Sequence, residues 1–207
     1  MNNYIRTLAI LTVLSLSGCP VTQVNRLPES SALPRATEIT ASGDFRHNPS
    51  GYVFPIQVGA FQRVHLLRYD TGGLDVSAGY NDALSGCLVA LTIYVFPTPR
   101  MQFIGADPNV VRSLEERWLE GGYTRAKEEI VGAHPEAVLE SEGARTRDGI
   151  PGKKALYSIG KAESELEVFV VQHSWFLKFR ATYPSQCTTQ AREAMDAFRA
   201  AWNGHGT

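Results

Sequence analysis

The 207-residue chain has little concentrated charge, only three cysteines and none of the common catalytic signatures. Its 20 Lys and Arg nearly balance its 21 Asp and Glu, for a formal net charge of −1. With no basic run, it lacks the positive patch that phosphate recognition needs, so nucleic acid is not expected as a partner. The five histidines, His47, His65, His134, His173 and His205, include no pair four residues apart and no HExxH, so no metal-binding helix is indicated. Each reads as a surface or internally satisfied residue; clustering of His65 with His173 through a sheet is the one metal arrangement left open. No GxSxG is present, and Ser77 in "GGLDVSAG" falls mid-strand, away from the strained turn that presents a hydrolytic serine. There is no P-loop, no dinucleotide fingerprint and no internal repeat, so no cofactor is expected and a solenoid is excluded. The charged stretch "SLEERWLE", with Glu115, Glu116, Arg117 and Glu120, reads as a solvated helix face.

What the chain does have begins at its start. Arg6 precedes an apolar run over residues 7–16, too short to span a bilayer, which takes about 20 residues. The run leads into Leu16-Ser17-Gly18-Cys19, a charged, apolar and small-residue order typical of a signal peptide. This leader resembles that of bacterial lipoprotein precursors. The resemblance implies cleavage before Cys19, a diacylglyceryl group on its thiol, acylation of the new amino terminus and persistent attachment to membrane lipid. Ser17 and Gly18 have the low bulk a peptidase needs, and the thiol is the soft nucleophile that forms the thioether. The alternative is an ordinary secreted protein with a cysteine at its cleavage site. By analogy with lipoprotein sorting, Pro20 in place of Asp points to the outer membrane, facing the periplasm, in a Gram-negative host.

The expected organisation is a signal peptide at 1–18, a lipid-anchored tether at 19–48 and one domain at 49–204. The tether carries Pro28 and Pro34 among Ser and Thr without apolar periodicity. Hydrophobic residues at 43% and charged residues at 20% are values of a globular chain. Two strands flank "YDTGGLD", with Val64, Leu66, Leu74, Val76, Ala78 and Tyr80 as apolar positions and Gly72 and Gly73 in the turn. The run "CLVALTIYVFP" reads as a central strand covered on both faces. Asp107 and Pro108 start a helix that Gly121 and Gly122 are expected to stop, with a second short helix over 124–131. Strands follow near 137–142, 153–159 and 165–172. "WFLKFRATY" alternates as a half-buried antiparallel strand, joined to the one before it at His173 and Ser174. Cys187, Ala191, Met195, Phe198 and Trp202 form one stripe of a last helix, with Ser185 as its cap.

This order predicts an α+β domain, a mostly antiparallel β-sheet flanked by helices, with a long C-terminal helix packed on the sheet. With "GGLDVSAGYN" before an apolar strand and "FLKFRATYP" before the last helix, the domain resembles the PsbP/Mog1-like fold, seen also in DcrB-type envelope lipoproteins. That resemblance implies non-catalytic binding or assembly and supplies no catalytic residue. In the oxidising compartment that the leader implies, the two cysteines left besides Cys19 are expected to pair as a Cys87–Cys187 disulfide. Cys87 opens one strand and Cys187 follows the end of another, which meet if the two are antiparallel neighbours. Two separately buried thiols are the alternative, as is a nucleophilic cysteine beside His173. Three functional readings follow: a lipid-anchored envelope protein that binds an unidentified envelope protein without catalysis; a hydrolase with a dispersed site; and a periplasmic small-molecule binder using aromatic residues such as Tyr69 and Tyr80.

Overall fold

The computed structural model describes residues 36–84, 87–99, 103, 105–202 and 204, all within the compact unit Pro34–Thr207. The leader, Cys19, the first part of the tether and His205 lie outside the described residues. Four short strands come first: β1 (Thr37–Glu38), β2 (Phe45–Arg46), β3 (Val53–Phe54) and β4 (Gln57–Val58). Then follow β5 (Phe61–Arg68), β6 (Val76–Leu84), β7 (Cys87–Pro97), α1 (Pro108–Ala133), β8 (Val138–Arg147), β9 (Ile150–Ile159), β10 (Ala162–Val171), β11 (Trp175–Pro184) and α2 (Thr188–Ala201). Nine strands form an antiparallel sheet in the order β1-β5-β6-β7-β11-β10-β9-β8, with β4 also on β5, while β2 and β3 pair separately. The domain is α+β with its C-terminal helix on the sheet, although the longer helix is α1.

The folded region starts earlier than expected. Residues 36–48 belong to it because β1 pairs with β5, β2 pairs with β3 and His47 is only 2% exposed. The His47 ring donates from Nε2 to the Gly73 carbonyl at 2.8 Å, so Nδ1 can accept from Ser50 Oγ at 2.6 Å. The ring edge meets Trp175. This histidine fastens the N-terminal strap to the β5–β6 turn.

The sheet buries both faces, under different elements. On one face, Tyr80, Ile93, Leu177 and Phe179 meet Ala191, Met195, Phe198 and Trp202 of α2, closed by Tyr52 and Phe54 of the strap. On the other, Leu166, Val168, Val170 and Phe176 meet Tyr123, Ala126 and Ile130 of α1. Phe176 and Leu177 are neighbours in β11, and successive strand side chains point to opposite faces, so the helices lie on opposite sides. β11 is therefore covered on both faces for much of its length, not half-buried. In β7 the reverse holds: Cys87, Val89 and Leu91 are buried while Leu88 is 54% exposed, because α1 does not reach that end. Val64 is also out of the core, 51% exposed, since the β5–β6 register shifts between Arg63 and His65 and leaves it in a bulge.

α1 begins as its sequence predicts, with Asp107 accepting from Asn109 N at 2.8 Å and Pro108 in the first turn. It then runs unbroken through Gly121 and Gly122. Ser185 does not cap α2; it opens a 3-10 turn and its hydroxyl donates to the Lys161 carbonyl. No helix among the described residues is long and apolar enough to cross a membrane.

Candidate functional site

Three chain segments meet at one end of the sheet. Asp148 and Gly149 form the two-residue turn between β8 and β9, both with positive φ, as a type I′ hairpin requires. Gln172 and His173 also take positive φ, at 51° and 56°, in the β10–β11 turn, a conformation uncommon outside glycine. The first turns of α1 approach both hairpins and leave a half-open cleft of about 680 Å³. Its wall is mostly carbon, from Val111, Leu119, Ile150, Pro151 and Val170, with Glu115, Glu116, Arg112 and His173 among its polar side chains. His173 Nδ1 lies 2.5 Å from Glu115 Oε1, and the His173 ring also meets Phe103, which packs on Trp118. Glu115 and Glu120 thus do more than solvate a helix face, since Glu120 pairs with Lys153 of β9.

The expected catalytic alternatives are not assembled. Cys87 and Cys187 are joined by a disulfide, with Cα atoms 6.0 Å apart. The β7–β11 register runs from Trp175 opposite Pro97 to Thr182 opposite Ala90, which puts Cys87 at the far end from His173. Ser77 is buried and bonds the Tyr69 hydroxyl at 3.0 Å. His65 lies over Gly79, where a Cβ would collide with the ring, and His134 pairs with Glu136 at 3.7 Å. His65 and His173 do not cluster: His65 lies opposite Gly79 and, through it, Thr92 of β7, whereas His173 precedes Trp175, which lies opposite Pro97 at the end of that strand, and among the described residues no group of three or more His, Cys, Asp or Glu side chains is placed to hold a metal ion. Tyr69 and Tyr80 do not share a binding face either. Tyr80 is wholly buried on the α2 side and donates to the Pro55 carbonyl, whereas Tyr69 sits with Tyr94 on the other face.

That other face carries a polar group of its own. Lys178 is buried over the Tyr94 ring, 4.1 Å from its centroid, and donates to Glu129 at 2.8 Å. Near it, burial and then the Asp70 carboxylate push the Asp75 carboxyl up to about 6.

A second cavity, of about 420 Å³, opens where α2 overhangs β8, β9 and β10. Sequence reading missed it, because strand register is what gathers its residues. Glu165 and Glu167 of β10 face Arg192 and Arg199 of α2, and Arg145 of β8 reaches Glu167 at 3.1 Å.

No family model and no curated protein matches the chain in sequence. Among solved structures it is similar to the solution structure of cyanobacterial PsbP (CyanoP) from Synechocystis sp. PCC 6803, at 12% identity and a TM-score of 0.42, over 86% of this chain and 96% of that one.

Proposed function

We propose that this is a lipid-anchored cell-envelope protein with a non-catalytic binding role. Acylated Cys19 holds it to membrane lipid, at the outer membrane facing the periplasm, and the cleft between α1 and the two hairpin turns takes apolar side chains of a partner envelope protein. The observation that carries the reading is the cleft itself. Its wall is apolar, and its histidine is paired with Glu115 and stands beside no serine, threonine or cysteine of the lining. An apolar concavity with charged groups around it matches the make-up of a protein-binding patch, an apolar centre inside a polar rim. A periplasmic small-molecule binder is the second reading, favoured by the volume, which lies within the range of about 300–1,000 Å³ usual for small ligands.

A photo-crosslinking residue at Leu119, in the membrane-attached protein in cells, separates these readings. A defined protein adduct from Leu119, absent from the same probe at Leu88, is expected. Adducts to small molecules alone would favour the second reading, and equal adducts from both positions would remove the cleft from consideration. Metabolic palmitate labelling tests the anchor: the wild type incorporates label and Cys19→Ser does not. Generic ester, peptide and phosphoester substrates are expected to remain uncleaved; turnover abolished by alanine at Ser77, Cys87 or His173 would establish an enzyme.

A further inference from the structure

We propose that a second copy of this chain pairs antiparallel along β8, continuing the sheet across a two-fold axis that passes at Ala144. The case does not depend on what the apolar cleft binds.

The two edges of the sheet are finished differently. At one, the outer side of β5 is covered by the two-residue strands β1 and β4. At the other, β8 is 10 residues long and pairs only with β9 among the described residues. Residues 138–144 and Thr146 are all exposed. A long bare edge is a template for another strand, and proteins guard such edges with lysine, proline, charge or a bulge. The bulge of β8 lies between Leu139 and Ser141, and the stretch 141–146 that follows has no lysine or proline. Its two charges are bound back to their own chain: Glu142 by Tyr123 and Lys127 of α1, and Arg145 by Glu167 of β10. Neither is left free to repel an arriving strand.

The register follows from the β8–β9 hairpin. Its two-residue turn makes Arg147 and Ile150 a hydrogen-bonded pair, and such pairs alternate with non-hydrogen-bonded ones along an antiparallel ladder. Glu142, Ala144 and Thr146 therefore turn their backbone N–H and C=O groups outward. Pro151, which has no N–H to give, lies opposite Thr146, as this alternation requires. Opposed residues share a face of the sheet, and an axis normal to the sheet preserves its faces, so the axis passes at a residue. At Glu142 or Arg145 it would set like charges against each other. At Gly143 it would set Thr146 against Glu140, inside the bulge. At Ala144 the outward groups of all three residues find partners. Ala144 then faces its own copy, and Glu142 faces Thr146, whose hydroxyl can donate to the carboxylate. Gly143 faces Arg145 and leaves space for its long side chain, since even a Cβ at Gly143 would meet nothing within 4 Å. Val138 and Leu139, 56% and 42% exposed, come beside the β8–β9 turn of the other copy. This self-fit selects a second copy over an extended segment of another protein.

The test is sedimentation equilibrium of the purified full chain in density-matched detergent. A monomer–dimer equilibrium with a dissociation constant of about 1–100 μM is expected, because one strand pair is smaller than the roughly 1,600 Å² of a standard interface. Ala144→Lys and Ala144→Glu should each stay monomeric up to about 300 μM, since each sets like charges together on the axis. Mixing the two variants should restore a dimer containing one of each, which separates repulsion on the axis from misfolding. Three results would each overturn the proposal: a wild type that is monomeric up to about 300 μM, which would leave the edge to a segment of another protein; wild-type dimerisation retained by Ala144→Lys; or a mixture of the two charged variants that does not associate.

Discussion

Phe176 lays its ring where a side chain at Gly122 would stand: a Cβ there would lie 2.5 Å from Phe176 Cε1. The α1 backbone can approach β11 this closely because residue 122 has no side chain. Helix propensity alone favours alanine over glycine by about 1 kcal/mol. At Gly122 that gain is outweighed, since the Phe176 ring is packed between Phe96 and the helix and overpacking costs about 1–3 kcal/mol. Gly122→Ala should therefore lower the urea midpoint. Gly121→Ala, whose Cβ meets nothing within 4 Å, should raise it, through a gain in stability of up to about 1 kcal/mol. Equal shifts of the same sign would contradict this account.

Phe198 should be the most sensitive position on α2. It is 1% exposed and packs edge-on against Phe61 and Tyr80 at centroid distances of 5.1 and 5.2 Å. Phe198→Ala leaves a cavity between helix and sheet and should destabilise the domain by about 3–5 kcal/mol in denaturant titration. An unchanged melting temperature would remove α2 from the core.

The Cys87–Cys187 bridge closes a loop of 100 residues, so it restricts the unfolded chain strongly. Replacing both cysteines by alanine should reduce stability by about 2–4 kcal/mol. Thiol titration of the denatured, non-reduced protein should find neither Cys87 nor Cys187 reactive. Two reactive thiols at these positions would show that the cell leaves them reduced.

Asp75 carries a pH-dependent penalty. Its carboxyl is raised from 3.8 to about 6 in the folded protein, first by burial and then by Asp70. Between these values the folded state holds the proton more tightly than the unfolded state. Stability therefore falls as pH rises from about 4 to about 6 and is lowest, as far as this group is concerned, above that. Asp75→Asn should raise the melting temperature at pH 8, with the advantage shrinking toward zero below pH 4. An advantage independent of pH would point to packing in place of charge.

The parts of the fold legible in sequence were those set by local period and by turn residues. The stripe through Cys187, Ala191, Met195, Phe198 and Trp202 reads directly as the buried face of α2. The β5–β6 turn reads from Gly72 and Gly73. Asp148 and Gly149, with "GK" at 160 and 161, were equally visible turn signals, and would have extended the strands of β8–β10 to their full length. Gly121 and Gly122 misled because a glycine pair is a common helix stop, and only the tertiary approach of Phe176 shows why one of them is required. His47 looked like part of a tether because its partners, Gly73 and Trp175, are distant in sequence. The two cavities were illegible for the same reason. The bulge after Leu139 and the β8–β9–β10 register bring Arg145, Lys154 and Glu167 together, and neither can be counted from spacing.

Trp202 gathers three parts of the chain at the end of α2. Its indole N–H donates to the Val53 carbonyl, its ring stacks on Tyr52, and its carbonyl accepts from Arg147 Nη2, which also reaches the Arg199 carbonyl. The Arg147 guanidinium in turn lies over the rings of Phe179 and Trp202. The end of the β8–β9 hairpin, the last turn of α2 and the strap are thereby latched at one point. Opening any one of them exposes carbonyls or ring faces that the others cover, so their slow amide protons should exchange in a single cooperative event, with one shared opening free energy, and not as three independently fraying edges.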